Sequence, residues 1–183
     1  MRLFKRRRKF SSDKGQGLIE AAVILPFLFF LLFNAINFAY FFYVAINLAS
    51  APRDAAQYAV QGPSTPAQLK WAAAGPSTTV TSVSYLAYQN LNGLPASTTS
   101  PVQVCSASNG YTNPGTVNQT SVCTQYGGSY TFPSAVPDPE PLRFTLFRVD
   151  VVYTVQPLIP AQPFGIRLLP SYTLHRQVSM RNM

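Results

Sequence analysis

The most constraining feature of the sequence is an uncharged, apolar run from Ala21 to Ser50. About 20 apolar residues suffice to cross the hydrocarbon core of a bilayer, so this run predicts a transmembrane helix. The rest of a 183-residue chain is too small to surround so many large apolar side chains, which excludes a buried core helix. A secretory signal cut at Ala49-Ser50-Ala51 and a twin-arginine signal at Arg7-Arg8 are weaker alternatives. Cleaved signals have apolar regions of only about 7–15 residues.

Charge is concentrated at the N-terminus. Residues 1–15 carry seven Lys or Arg and one Asp, whereas residues 16–183 are nearly neutral. Lys and Arg that flank a membrane helix stay on the cytoplasmic side, so we expect a single pass through the inner membrane with the C-terminal part outside the cytoplasm. A basic tract can also bind nucleic acid, but one followed directly by an apolar run favours a topology signal. No nucleic-acid partner is therefore expected.

Two cysteines, Cys105 and Cys123, lie in a polar stretch of the chain. Together with the only histidine, His175, they are too few for a four-ligand zinc site. The predicted topology exports both cysteines, and an oxidising compartment favours a disulfide over free thiols. Such a bridge would contribute about 3 kcal/mol in the chain-entropy model. We predict one disulfide, no metal site and no cofactor.

One acidic residue, Glu20, stands where the basic tract meets the apolar run, five residues after Gly15. A carboxylate costs up to about 2.5–3.5 kcal/mol at the bilayer centre, so it needs a partner or a function. The basic leader, glycine and glutamate resemble a class III, or prepilin-type, signal, which a prepilin peptidase cuts after the glycine. Cleavage between Gly15 and Gln16 makes Glu20 the fifth mature residue. Cleavage after Gly17 would make it the third and is an open alternative.

The same region resembles the TadE-like minor pilins of tight-adherence (Tad, or Flp-type) pilus systems. Pro26 follows Glu20 by six residues, and Ala49–Ala59 is similar to the alanine-rich helix end of that family. The resemblance implies a minor pilin or pseudopilin whose Glu20 neutralises the new amino terminus of a neighbouring subunit. It also implies the partners: the prepilin peptidase, other pilins and minor pilins, an inner-membrane assembly platform and the lipid bilayer. Incorporation into a surface pilus is one possible fate of such a subunit.

The overall pattern predicts an α+β fold with a long N-terminal helix and a small antiparallel β-rich domain. The expected divisions are a leader over 1–15, a membrane-spanning and protruding helix over 16–60, a linker over 61–78 and an extracytoplasmic β-rich domain over 79–183. Pro52 is expected to bend the helix. Ala67–Ala74 is expected to form a short helical turn, with Trp71 as a core or interface anchor.

Three segments predict strands: Thr79–Tyr88, Phe147–Val155 and Ser171–Val178. The second alternates apolar and polar residues, which is typical of a half-buried strand. The stretch from Leu91 to Pro141 is rich in Gly, Asn, Pro and Thr, and predicts a polar loop without a core of its own.

The sequence carries none of the common catalytic motifs, and the acids Asp138, Glu140 and Asp150 have no obvious partner acid or base. The first hypothesis is therefore a pilus assembly subunit and not an enzyme. The alternative is a single-pass, membrane-anchored extracytoplasmic binding protein. Only the first requires removal of the leader before Glu20.

Overall fold

The structure, a computed structural model, describes residues 13–61, 71–95, 97–112, 120–133, 146–159 and 170–181. Within them lie two α-helices and four strands: α1 (Asp13–Gln61), α2 (Val83–Asn90), β1 (Val102–Cys105), β2 (Cys123–Tyr126), β3 (Leu146–Val155) and β4 (Tyr172–Arg181). The strands form one antiparallel sheet in the order β2-β1-β3-β4. A long N-terminal helix followed by a small antiparallel sheet confirms the predicted α+β fold.

Helix α1 is continuous over 49 residues, a length of about 74 Å at 1.5 Å per residue. Pro26 and Pro52 both lie inside the helix and neither ends it. The helix is long and apolar enough to cross a membrane, and its most apolar stretch is not buried inside the molecule. Pro52 is itself buried, and the bend expected there stays a prediction.

The second half of α1 forms one wall of the core. Five of its buried residues follow each other at intervals of three or four, which places them on a single face of the helix: Val44, Leu48, Ala51, Ala55 and Ala59. This face packs on β3, β4 and α2. Because the last three of these side chains are alanines, they allow the neighbouring backbones to approach the helix closely.

Strand β3 lies between β1 and β4 and is buried on both faces, so the prediction of a half-buried strand was wrong. One face shares the core with α1 through Phe147, Val149, Val151, Tyr153 and Val155. The opposite face buries Arg148, Asp150 and Val152. Residues 129–133 help to cover that second face, since the Pro133 carbonyl accepts a hydrogen bond from Arg148 at 2.6 Å.

The last predicted strand is confirmed and is longer than expected. Strand β4 pairs with β3 along its whole length, from Tyr172 opposite Val155 to Arg181 opposite Leu146. This long pairing continues three residues beyond Val178, where the prediction ended.

The strand predicted over Thr79–Tyr88 was wrong, because turns and then helix α2 occupy this segment. Ser82 caps the helix by accepting a hydrogen bond from the Tyr85 amide at 3.2 Å. Val83, Ala87 and Leu91 are buried at intervals of four residues. The β-branched residues just before α2 favour a strand, so the sequence pattern of this segment did not indicate a helix.

The stretch from Leu91 to Pro141 is not the coreless loop that was predicted, because it supplies strands β1 and β2. Val102 and Val104 of β1 are fully buried in the core. Pairing on both sides, with β2 and with β3, holds β1 inside the sheet. Four-residue strands of this kind are too short for a clear period in the sequence.

The predicted turn over Ala67–Ala74 is only partly described, and its described residues, Trp71–Ala74, are not helical. The break predicted at 62–66 lies outside the described residues. The Trp71 ring packs on Phe147 with ring centroids 5.1 Å apart, which confirms its role as a core anchor.

Candidate functional site

The first part of α1, residues 15–36, projects from the rest of the described molecule; we call it the stalk. None of its residues is buried, and the first buried residue along α1 is Asn37, which is 7% exposed. The stalk has 22 residues and a length of about 33 Å, close to the 30 Å hydrocarbon core of a bilayer. It exposes large apolar side chains along its length, including Leu18, Ile24, Phe27, Leu28 and Leu32. The stalk is therefore compatible with single-pass membrane anchoring.

The four residues predicted for cleavage and assembly, Gly15, Gln16, Glu20 and Pro26, all lie on the stalk and are exposed. The Glu20 carboxylate accepts a hydrogen bond from the Gln16 amide group, one turn earlier, at 3.3 Å. Within the described part of the chain it forms no ion pair. Its side chain is exposed, and an ionised carboxylate is costly to place in an apolar setting without a partner.

The predicted cleavage bond, between Gly15 and Gln16, lies close to the start of α1 at Asp13. Glycine in a helix costs about 1 kcal/mol relative to alanine, so Gly15 and Gly17 make local unwinding at this end inexpensive. A Cβ atom added to either glycine would meet no heavy atom within 4 Å. Packing in the described structure therefore does not require glycine at these positions.

Asn37 joins the helix to the sheet domain where the stalk ends. Its Nδ2 donates to the Ile159 carbonyl and its Oδ1 accepts from the Ile159 amide, both at 3.0 Å. Asn34 and Asn47, by contrast, donate to carbonyls of their own helix. Asn37 thus holds the chain that follows β3 against α1.

We expect Asn37→Leu to release this connection, because the Ile159 amide and carbonyl would lose their partners in a partly buried place at a cost of about 1–3 kcal/mol each. Hydrogen exchange followed by mass spectrometry should show faster exchange in the peptide that contains Ile159. The matched control is Asn47→Leu, since the Asn47 side chain donates within α1, to the Tyr43 carbonyl. Equal exchange in the two variants would contradict the role given to Asn37.

A second group of polar side chains lies on the face of the sheet away from α1. Asp150 is fully buried and binds Arg148 Nε at 2.7 Å and His175 Nε2 at 2.9 Å. Arg148 also donates to the Gln103 side chain and to the Pro133 carbonyl. The expectation that Asp150 lacks a basic partner was therefore wrong.

Two aromatic rings complete this group. The rings of Tyr130 and Phe132 lie 6.3 Å and 5.9 Å from that of His175, which is 27% exposed. Within the described residues, no three His, Cys, Asp or Glu side chains are placed to hold a metal ion. The contacts instead attach residues 130–133 to the sheet through the hydrogen bond from the buried Arg148 to Pro133 and through tilted and edge-on ring contacts with His175.

The predicted disulfide between Cys105 and Cys123 is present. The two residues are directly opposite each other on β1 and β2. The bridge therefore joins paired strands as well as closing the loop between them. Strand β2 is a four-residue edge strand that pairs on one side only, so the disulfide holds this short edge strand to β1.

Two tyrosine hydroxyls attach residues 95–100 to the core. Tyr153 donates to the Pro95 carbonyl at 2.7 Å and Tyr88 to the Ser100 carbonyl at 2.8 Å. Burial raises the pKa of Tyr88 to about 12 and also raises the pKa of Tyr153, with a smaller contribution from Tyr40. Both hydroxyls therefore remain donors at neutral pH. Gly127 allows this packing, because its φ is +76° and a Cβ there would collide with the Tyr88 hydroxyl.

Sequence reasoning did not find Asn37 or the group around Asp150. The signal for Asn37 was available, because an amide inside a long apolar run needs a partner. The signal for Asp150 was misleading, since alternating polar residues in a strand usually indicate a solvent face. The residues that cover this face, Tyr130 and Phe132, are separated from it in sequence.

Residues 15–57 match the family model described as TadE-like protein. This segment is TadE-like. The match covers the stalk and most of the helix that packs on the sheet, and it contains Gly15, Gln16, Glu20 and Pro26. The sheet lies outside the matched residues. Searches of curated proteins and of solved structures each gave no match to the chain. The similarity of this segment to TadE-like proteins suggests a part in a Tad pilus system and interaction with other components of such a pilus.

Proposed function

We propose that the protein is a minor pilin, or pseudopilin, which takes part in assembling a Tad-type type IV pilus and has no catalytic activity. The observation that carries this proposal is the TadE-like match over a stalk that is uncovered and bears the exposed Glu20. A buried helix could not present this carboxylate to a neighbour. Prepilin peptidase, other pilins, an inner-membrane assembly platform and the lipid bilayer are its proposed partners.

In the proposed mechanism the peptidase removes the basic leader by cutting between Gly15 and Gln16. The new α-amino group of Gln16 is a cation at the cytoplasmic end of the stalk. Glu20 of an adjacent subunit supplies its counter-charge when the stalks pack together. Opposite charges attract more strongly in a low-dielectric bundle than in water, so this pairing favours the assembled state over separate subunits.

The mature protein is expected to begin at Gln16, and tandem mass spectrometry of the N-terminal peptide from pilus-producing cells should identify it. Gly15→Leu should block cleavage, because a large side chain then stands next to the cut bond. Gly17→Ala is the matched control and should leave cleavage intact. Neither position is packed against other atoms, so both variants should fold normally.

If Gly17→Ala stops cleavage and Gly15→Leu does not, the cut lies after Gly17. Retention of Met1 in wild-type protein from pilus-producing cells would contradict maturation by the peptidase. The anchored binding protein, which needs no processing, would then be the better explanation.

We further propose that the N-terminus lies in the cytoplasm and that the sheet domain lies outside the inner membrane, as the basic residues before the stalk favour. The disulfide supports this orientation, because such bonds persist in oxidising compartments. In protein alkylated in intact cells without reductant, Cys105 and Cys123 should remain unlabelled, and reduction should expose both. Labelling of both before reduction would argue for a cytoplasmic domain.

A further inference from the structure

We propose that the end of the sheet domain next to Asn37 rests on the outer surface of the bilayer, with the Leu158 side chain inserted among the lipid headgroups. This inference rests on the membrane anchoring proposed above. It adds a second contact with lipid, made by the folded domain and independent of leader cleavage or assembly.

The position of this end follows from the length of the stalk. Residues 15–36 extend for about 33 Å and match the hydrocarbon core, so Asn37 stands at the level of the outer headgroups. Ile159 is held at the same level by its two hydrogen bonds with Asn37. The domain therefore begins where the hydrocarbon ends, with no length of free helix between them.

The side chains at this level are apolar or aromatic and partly uncovered. Leu158, next to Ile159, is 56% exposed. Tyr172 is 45% exposed and its ring lies against Phe41, one turn above Asn37, with ring centroids 6.2 Å apart. On α1 itself, Phe38 and Phe42, which follow Asn37 by one and five residues, are also exposed.

Aromatic residues are enriched where membrane proteins meet the interface, since a ring with a polar group suits the boundary between hydrocarbon and water. Single exposed apolar residues are ordinary on protein surfaces. Here, however, several of them lie on α1 just after Asn37 or on the chain that Asn37 and Phe41 contact, and they continue the apolar surface of the stalk. This continuity favours lipid as the occupant, because the bilayer that surrounds the stalk ends at this surface.

The opposite end of the domain provides a control. The Tyr58 hydroxyl donates to the Thr81 carbonyl, and Tyr58 is 21 residues beyond Asn37, or about 32 Å along the helix. Val80, beside Thr81, is 67% exposed and apolar like Leu158. If exposed apolar character alone drew the domain to lipid, Val80 and Leu158 would behave alike.

The test places a single environment-sensitive fluorophore on the full chain in phosphatidylcholine–phosphatidylglycerol vesicles. Separate variants carry it at Leu158→Cys, Val80→Cys and Ile24→Cys, and labelling without reductant spares the disulfide-bonded cysteines. Lipids with a nitroxide at the headgroup, or deep in the acyl chain, quench fluorophores at the same depth. We expect the headgroup nitroxide to remove about half of the emission at Leu158, as for side chains inserted roughly 5–10 Å into the interface.

At Val80 neither nitroxide should reduce the emission, and at Ile24 the deep nitroxide should. If Leu158 is quenched no more than Val80 while Ile24 is quenched, the proposed surface contact is wrong, but the membrane anchor is still supported. An unquenched Ile24 would overturn both the anchor and the contact. Neither result depends on pilus yield or on the mature N-terminus, so failure here is distinguishable from failure of the pilin function.

Discussion

Asp150→Ala is expected to destabilise the sheet domain by about 3–5 kcal/mol, the usual cost of removing one partner from a buried ion pair. Arg148, which is only 5% exposed, would keep its charge without the Asp150 carboxylate beside it, and His175 would lose its hydrogen-bond partner Asp150. At this domain size the loss corresponds to a fall in melting temperature of roughly 10 °C or more. Thermal unfolding of the full chain in detergent, followed by near-ultraviolet circular dichroism, measures it.

Asp54→Ala is the matched control for this variant. Asp54 is exposed and accepts a hydrogen bond from Asn90 at the surface, so its loss should change stability by no more than about 0.5 kcal/mol. The double variant Arg148→Met with Asp150→Leu removes both charges and should recover much of the loss, because paired apolar replacements of a buried ion pair are often neutral. An Asp150→Ala protein as stable as Asp54→Ala would show that the buried pair contributes little.

Glu20→Ala is expected to leave membrane insertion intact and to reduce the yield of sheared surface pili about tenfold or more. Insertion should survive because an apolar helix without a carboxylate is easier to bury in lipid. Assembly should fail because the amino terminus of a neighbouring subunit would lose its counter-charge. An unpaired charge in a low-dielectric place costs several kcal/mol, and each 1.4 kcal/mol is a factor of ten in an equilibrium.

Glu20→Gln separates charge from shape, and it should resemble Glu20→Ala if pairing of charges drives assembly. Gln57→Ala, an exposed substitution near the far end of the same helix, is the control for general effects of mutating α1. Pilus yield and co-purification with the major pilin are compared at matched membrane levels. Normal yields in both Glu20 variants would reduce Glu20 to a helix-end residue and favour the anchored binding protein.

Local physical chemistry explains the success of sequence reasoning for the long helix and for the last two strands. The apolar run between Ala21 and Ser50 is long and uncharged, so few structures other than a membrane-spanning helix can accommodate it. Strands β3 and β4 are ten residues long, and β3 is rich in β-branched and aromatic residues. The short elements were not predicted, because a segment of few residues shows no clear period: α2 spans eight residues, and β1 and β2 span four each.

By itself, then, the sequence indicated a helix long and apolar enough to span a membrane, a basic tract before it, Glu20 at the edge of the apolar run and a cysteine pair that favours a disulfide. These features depend on charge, apolar length and redox chemistry, which neighbouring residues in the chain define. Only the tertiary structure decided that the sheet domain meets the helix at Asn37 and that Asp150 is buried with Arg148 and His175. Asn37 and Ile159 are 122 residues apart, and no local pattern specifies which distant backbone will supply a buried polar group with its hydrogen bonds.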